Sequence, residues 1–407
     1  MAKVNPHYGK LEAGYLFPQI AERVHAFLDE NPGVSVMRLG IGNTTEALTP
    51  AVVAGLHEGV DRLAQRESYT GYGDEQGTQE LREALARRYE GYGVALNEDE
   101  IFISDGAKPD SANIQSIFAQ DDIVALQDPC YPVYVDSNVI GGHTGAWVDG
   151  QYEGLVYMPC TEDNDFFPAL PEGDVDLIYL CSPNNPTGAV ATLGQLKTFV
   201  DYARECGAVI IFDAAYATFI SDPRLPRTIY EVEGAKDCAI EISSFSKEAG
   251  FTGVRLGWTI VPKALSCEDA SPGKINALWL RRQTTMFNGA SNIVQHGGLA
   301  ILSEQGQKEC GELVAYYLTN AKIIREALEG LGIICYGGNS APYVWMKTPG
   351  GMPSWTFFDK LLDECHVVGT PGAGFGPSGE GYFRLSAFGH KEDIEEAVQS
   401  IQEKLRS

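Results

Sequence analysis

From Ile101 onward, short apolar runs alternate with polar stretches of helix length. The runs are Ile101-Phe-Ile-Ser, Ile123-Val-Ala-Leu, Leu177-Ile-Tyr-Leu, Val209-Ile-Ile-Phe and Ala239-Ile-Glu-Ile. Runs so short and so continuously apolar suit strands covered on both faces, so the alternation predicts an α/β fold around a largely parallel sheet. Earlier in the chain Ile20, Val24, Phe27 and Leu28 recur at helical spacing, which predicts a helix from Gln19 to Asn31, stopped by Pro32-Gly33. Met37-Arg-Leu-Gly-Ile-Gly-Asn follows as a short strand running into glycines. Leu81 and Leu85 mark a second helix whose Arg82, Glu83 and Arg87 are expected to face water.

The pattern changes near residue 300. A long helix over Gln305 to Leu328, with Leu313, Tyr317 and Ala321 on one face, precedes short strands and Tyr382-Phe-Arg-Leu-Ser386. This reads as a smaller α+β lobe completed by the amino-terminal segment. Residues 49–299 then form a large domain, and residues 1–48 with 300–407 form a small one. The 407-residue length agrees, since domains run to about 100–200 residues.

Composition narrows the partners. With 30 basic and 55 acidic residues the formal charge is −25, which repels phosphodiester backbones and anionic membranes, so neither nucleic acid nor membrane is expected as a partner. A bound anion must be held by locally placed Arg and Lys. The nine cysteines are scattered singly and no signal segment opens the chain; both features point to a reducing, cytoplasmic setting. Histidines are scattered too, so no metal site is expected.

The strand ends carry the polar residues: Asp105-Gly-Ala107-Lys108, Asp128-Pro-Cys-Tyr131-Pro, Ser182-Pro-Asn-Asn185-Pro-Thr-Gly and Asp213-Ala-Ala-Tyr216. Open α/β sheets bind ligands there. After the last apolar run comes Ser243-Ser-Phe-Ser-Lys247-Glu-Ala-Gly-Phe-Thr-Gly-Val-Arg255-Leu-Gly-Trp258. Ser244, Ser246 and Arg255 make a donor cluster suited to a phosphate dianion, and Lys247 is an amine placed to condense with an aldehyde. Together they describe pyridoxal 5′-phosphate. Taken alone the stretch reads more simply as a loop, since Ser, Lys and Gly are common in any loop. Gly40 and Gly42 likewise read as a tight turn, and Asp213 suits a turn or helix cap equally well.

The pattern Ser-x-Ser-Lys-x-x-Gly-x-x-Gly-x-Arg-x-Gly-Trp resembles the lysine segment of the fold-type I, class I/II aminotransferases, and further segments of that family recur in order from Tyr15 to Arg384. The resemblance implies a large domain with a mostly parallel seven-stranded sheet, a smaller α+β domain, and pyridoxal phosphate as cofactor. It implies that Lys247 holds the cofactor and shuttles a proton. Asp213 would face the pyridine nitrogen, Asn185 and Tyr216 the phenolic oxygen, and Tyr131 the ring or the substrate. Ala107, Lys108, Ser244, Ser246 and Arg255 complete the cofactor set. Tyr72, from Tyr69-Thr-Gly-Tyr-Gly-Asp-Glu75-Gln-Gly, would reach the phosphate of a neighbouring subunit, making the active unit a homodimer with shared sites. Arg384 would pair with the substrate α-carboxylate, and Gly42 would bring backbone close to it.

Within the family, Gly14-Tyr-Leu-Phe-Pro, Gly-Tyr-Gly-x-Glu-Gln-Gly, Ser-Asp-Gly-Ala-Lys108, Gln-Asp-Pro-x-Tyr-Pro, Phe251-Thr-Gly-Val-Arg and Phe287-Asn288-Gly-Ala-Ser look like the branch acting on LL-2,6-diaminopimelate. This implies amino transfer between LL-2,6-diaminopimelate and 2-oxoglutarate or glutamate, in lysine and cell-wall precursor synthesis. Lys108 and Asn288 would then hold the distal carboxylate and Glu75 the distal ammonium, with Tyr15 and Tyr131 closing the pocket. An aromatic or broad-specificity aminotransferase, or a carbon–sulfur lyase of the same fold, would keep Lys247, Asp213 and Arg384 without needing Lys108. A DNA-binding regulator on this fold would need a basic segment, which the chain lacks.

Overall fold

The protein was analysed as a computed structural model that describes residues 1–11, 16–148 and 150–405. Among the described residues, seven strands form one sheet: β1 (Ile101–Ser104), β2 (Val124–Asp128), β3 (Leu155–Pro159), β4 (Leu177–Cys181), β5 (Val209–Asp213), β6 (Ala239–Ser244) and β7 (Gly257–Ile260). Their spatial order is β1-β7-β6-β5-β4-β2-β3. Only β7 runs antiparallel to its neighbours. Six of the strands are buried at every position, which is why five of them stand out in the sequence as continuous apolar runs.

Two strands lack that signature, each for a physical reason. β3 lies at the sheet edge, with mixed burial and a terminal proline. β7 reads Gly-Trp-Thr-Ile, and its Thr259 is tolerated inside because its hydroxyl donates to Asp110 at 2.8 Å.

The sheet is covered on both faces. One face packs on Leu81, Leu85, Val200, Phe245 and Phe251, the other on Ile114, Tyr134, Tyr179 and Trp279. A separate core joins the two ends of the chain: Leu16, Ile20 and Val24 of helix α1 (Leu16–Glu30) pack with Ile324, Phe357, Leu361 and Ile401. Met37–Arg38 also pairs in parallel with Val367–Val368. Here lies a four-stranded antiparallel sheet of β8 (Cys335–Gly337), β9 (Tyr343–Lys347), β10 (Thr370–Pro371) and β11 (Tyr382–Ser386), in the order β8-β9-β11-β10. Its register sets Trp345 opposite Arg384 and Tyr343 opposite Ser386. Strand periodicity therefore brings Tyr343 and Arg384 onto one face as diagonal neighbours.

Helix α2 (Gln79–Glu90) buries Leu81, Leu85 and Tyr89 against the sheet. One expectation for it is corrected. Arg87 faces water but Arg82 is buried, donating to Gly77 O at 3.0 Å, Glu98 O at 3.1 Å and the Asp74 carboxylate at 3.3 Å. A long side chain one position from the apolar stripe folds over the helix start and satisfies carbonyls that would otherwise lack donors. Among the described residues no helix is long and apolar enough to cross a membrane.

Arg82→Met should therefore lower stability by about 1–3 kcal/mol, through carbonyls left unpaired, while Arg87→Met should change it by less than about 0.5 kcal/mol. Thermal or urea unfolding of the two variants compares them directly. Equal effects would contradict the buried role of Arg82.

Candidate active site

The parallel strands end on one side of the sheet, facing the smaller core. β2 is followed by Tyr131, β4 by Asn185, β5 by Tyr216 and β6 by Ser246 and Lys247. These residues, with Asp213 and Ser244, line a cavity of about 570 Å³. Ala107, Lys108 and Arg255 line it as well, and so do Gly42 of the amino-terminal turn, Tyr343 and Arg384 of the four-stranded sheet, and Phe388 just beyond it. A cleft at the carboxyl ends of such strands is the usual ligand site of an open α/β sheet.

Lys247 sits in a turn directly after β6, half-buried, with its amine on the carbonyl of Gly42. Burial disfavours its charged form, and the guanidinium groups of Arg384 and Arg255 add to this against the opposing carboxylate of Asp213. The amine is lowered to about 8. A neutral amine, and hence a nucleophile, is available there near neutral pH.

Asp213 is buried and accepts from the Tyr134 hydroxyl at 2.6 Å and from the Ala215 N–H at 2.9 Å. Burial raises its pKa, while those two donors and Lys247 oppose the rise. Tyr216 is buried and shares a 2.8 Å hydrogen bond with the Tyr343 hydroxyl. Arg384 is 1% exposed. It donates to Asn185 Oδ1 at 2.5 Å, to Gly40 O at 2.5 Å and to Thr370 Oγ1 at 3.3 Å. A guanidinium only donates, so it fixes the Asn185 amide with its oxygen toward Arg384 and its NH₂ available as a donor.

Ser244 and Ser246 are buried on the same turn, the Ser246 N–H reaching Ser244 Oγ at 3.4 Å. Arg255 closes this end, in a left-handed conformation (φ 72°) with Nη1 on Thr252 O at 3.1 Å. Gly106 makes room for it: a Cβ there would lie 2.3 Å from Arg255 Nη2. Lys108 is exposed at the rim, its amine 6.0 Å from the Tyr131 ring centre.

Three sequence-derived candidates lie elsewhere. Tyr72 is 90% exposed, Glu75 is half-buried and Asn288 is exposed; the chain's own cavity is lined without them. They share one surface region, where a Cβ on Gly289 would lie 2.9 Å from Asp74 O and Asn292 Nδ2 donates to Thr70 Oγ1 at 2.8 Å. Tyr15 falls outside the described residues. Sequence reasoning missed Tyr134, whose spacing three residues past Tyr131 was a usable signal. It also missed Tyr343, whose only cue is strand alternation.

The chain belongs to the class I and II aminotransferase family, whose sequence profile matches residues 34–401. Like other members it is a pyridoxal 5′-phosphate-dependent aminotransferase of fold type I. It is similar to the L,L-diaminopimelate aminotransferase of Chlamydomonas reinhardtii, with 50% identity over 99% of this chain and 98% of that one and a TM-score of 0.94. More distant are BacF of Bacillus subtilis in its substrate-bound structure (27% identity, 100% and 98% covered, TM-score 0.84) and the aromatic aminotransferase of Pyrococcus horikoshii (25%, 94% and 98%, 0.78).

The residues present fit that cofactor. Asp213 is a buried carboxylate with neutral hydrogen-bond donors, suited to a protonated ring nitrogen. Ser244, Ser246 and Arg255 suit a phosphate dianion, with Gly106 leaving the space for the guanidinium. Because combination with an aldehyde needs the neutral amine, cofactor uptake by the apoprotein should speed up as pH rises and level off above about 8. An ordinary lysine would set that midpoint near about 10.4. Stopped-flow absorbance across pH 6–11 with free pyridoxal phosphate reads the midpoint. A value near that of free lysine would remove the perturbed amine from the account.

Proposed function

We propose that this enzyme moves an amino group between LL-2,6-diaminopimelate and 2-oxoglutarate, serving lysine biosynthesis. The observation that carries the reading is the 50% identity over nearly the whole chain with the L,L-diaminopimelate aminotransferase named above. The geometry supports it as well. Arg384 is a buried cation whose hydrogen-bond acceptors among the described residues are neutral, so a substrate carboxylate is the partner it lacks. Lys108, a second cation lining the same cavity, suits the second carboxylate that both substrates carry.

Bound here, the cofactor supplies an aldehyde to take up the amino group and a ring to accept electron density. The protein does the rest. Asp213, oriented by Tyr134, would hold a proton on the pyridine nitrogen. Asn185 Nδ2 and the Tyr216 hydroxyl would donate to the phenolic oxygen, while Ser244, Ser246 and Arg255, with Ala107 nearby, would hold the phosphate. Tyr131 would lie against the ring. Arg384 orients the α-carboxylate, and Lys247 Nζ takes the proton from the substrate Cα and returns it. In this reading residues 49–299 hold the cofactor, and residues 1–48 with 300–407 bring Gly42 and Arg384 over it.

The reading includes a homodimer. Tyr72, Glu75 and Asn288 are grouped on the surface away from their own cavity, with exposed Tyr69 and Met286 close to them along the chain. Tyr72 then serves the partner's phosphate, and Glu75 and Asn288 the far end of the partner's substrate, with Tyr15 and Tyr131 closing the pocket. The nine free thiols suit a reducing cytoplasm.

Losing one charged hydrogen bond of about 1.5–3 kcal/mol should lower kcat/KM by about one to two powers of ten. At saturating cofactor, Glu75→Ala should show that loss for LL-diaminopimelate and much less for glutamate, which has no distal ammonium, whereas Lys108→Ala should show it for both, since both carry a distal carboxylate. Equal losses on both substrates in Glu75→Ala would favour an aminotransferase of broader specificity. Mixing inactive Tyr72→Ala and Lys247→Ala subunits, with exchange verified, should restore activity through hybrid dimers. No recovery would count against shared sites.

Asp213→Asn should keep the cofactor yet lose most turnover, because a neutral amide cannot stabilise the ring's proton. Near-normal activity would free Asp213 from that role.

A further inference from the structure

Lys247 is presented by a turn, not by a strand or helix, and little backbone pairing holds that turn. Phe245 N–H reaches Leu256 O at 3.1 Å and Ala249 N–H reaches Phe245 O at 3.0 Å. The next residue, Glu248, is turned the other way. Its two carboxylate oxygens accept from Arg88 Nη2 at 2.9 Å and Nη1 at 3.0 Å, with the side chains 8% and 14% exposed. Arg88 comes from α2, and its Nε also donates to the Tyr92 hydroxyl at 3.2 Å.

Beside the pair, α2 grips the strand that leads into the turn. Trp258 Nε1 donates to the Tyr89 hydroxyl at 3.1 Å, and that hydroxyl donates to Glu241 of β6 at 2.5 Å. Glu241 also accepts from Thr228 Oγ1 at 2.6 Å and Ile229 N at 3.1 Å. One helix thus fixes both β6 and the residue after Lys247, and a two-point guanidinium–carboxylate fork sets position and angle together.

We propose that Arg88 and Glu248 are positioning residues for catalysis, whose buried fork holds the Lys247 turn at the geometry the amine needs. The proposal rests on Lys247 being the cofactor lysine, as read above. The fork does not touch the cavity and acts only through the backbone between residues 247 and 248. Its effect belongs on kcat, since substrate binding uses other groups.

A buried pair also contributes to stability, and the experiment must separate the two roles. Glu248→Gln leaves Arg88 buried without its counter-charge, so it lowers the melting temperature whichever role is right. The double variant Arg88→Met with Glu248→Leu removes both charges and leaves none unpaired, which restores folding. In both variants the holoenzyme should show kcat reduced by about ten- to a hundredfold, with KM changed by less than about threefold. Circular dichroism of the bound cofactor's visible band should also weaken. If the double variant does not fold, Arg88→Lys keeps the charge without the fork and should give the same split.

Recovery of kcat and of the dichroism together with stability in the double variant would make the pair structural only and overturn the proposal. So would a kcat within about twofold of wild type in Glu248→Gln or Arg88→Lys. Lys247→Ala serves as control. Retention of the cofactor's visible absorption there would overturn the reading of Lys247 itself. Loss of it, with normal kcat in the Glu248 variants, would overturn the positioning role alone.

Discussion

Arg384 is a guanidinium buried almost completely from water, and the surrounding structure must supply its acceptors. Leaving such a group unpaired costs several kcal/mol. Its partners come from three separate stretches: Asn185 after β4, Gly40 in the amino-terminal turn and Thr370 on β10. The rings of Tyr343 and Phe375 sandwich it at 4.4 and 4.8 Å. Satisfying this one cation therefore requires the amino-terminal segment, the seven-stranded sheet and the four-stranded sheet to meet at one point on the wall of the cavity.

The loop carrying Phe375 is itself tied to the large sheet. Cys130 N–H donates to Phe375 O at 2.9 Å, and Asp128 accepts from Ser378 N and, at 2.7 Å, from Ser378 Oγ. Gly376 permits this approach, because a Cβ there would lie 2.2 Å from the Asp128 carboxylate. Burial holds the Asp128 carboxyl up to about 6, against the two Ser378 bonds. The end of β2 that presents Tyr131 thus also seats the loop beneath Arg384, so the two sides of the cavity share a foundation.

Electrostatics at the site run opposite to those of the whole chain. The protein carries a formal charge of −25, yet its cavity gathers Lys108, Lys247, Arg255 and Arg384. Clustering cations around one cavity bears on both its ligands and its lysine. It suits anionic groups, a phosphate among them, while burial, with Arg384 and Arg255 adding to it, lowers the amine of Lys247 so that a neutral nucleophile is available. Asp213 limits that depression and is kept in place by Tyr134, a contact between β5 and the helix after Tyr131.

The sequence by itself determined the largely parallel sheet, five of its strands as apolar runs along the chain, and the polar residues at their ends. Each is a local property: burial on both faces makes a strand uniformly apolar, and glycine or proline marks where a turn begins. The lysine segment and the arginine of β11 stood out through their resemblance to a known family, since taken alone the one reads as a loop and the other as an ordinary strand residue. Tertiary structure alone decided which partners those residues have. Arg82 follows a surface pattern along its helix but is buried, because the Asp74 loop folds back over it. Tyr343 joins Tyr216 through the register of a sheet formed from distant segments, and Arg88 meets Glu248 across 160 residues of chain. No local periodicity encodes such pairings. They arise because a buried charge or hydroxyl must find an acceptor or donor in whatever segment the packing brings near.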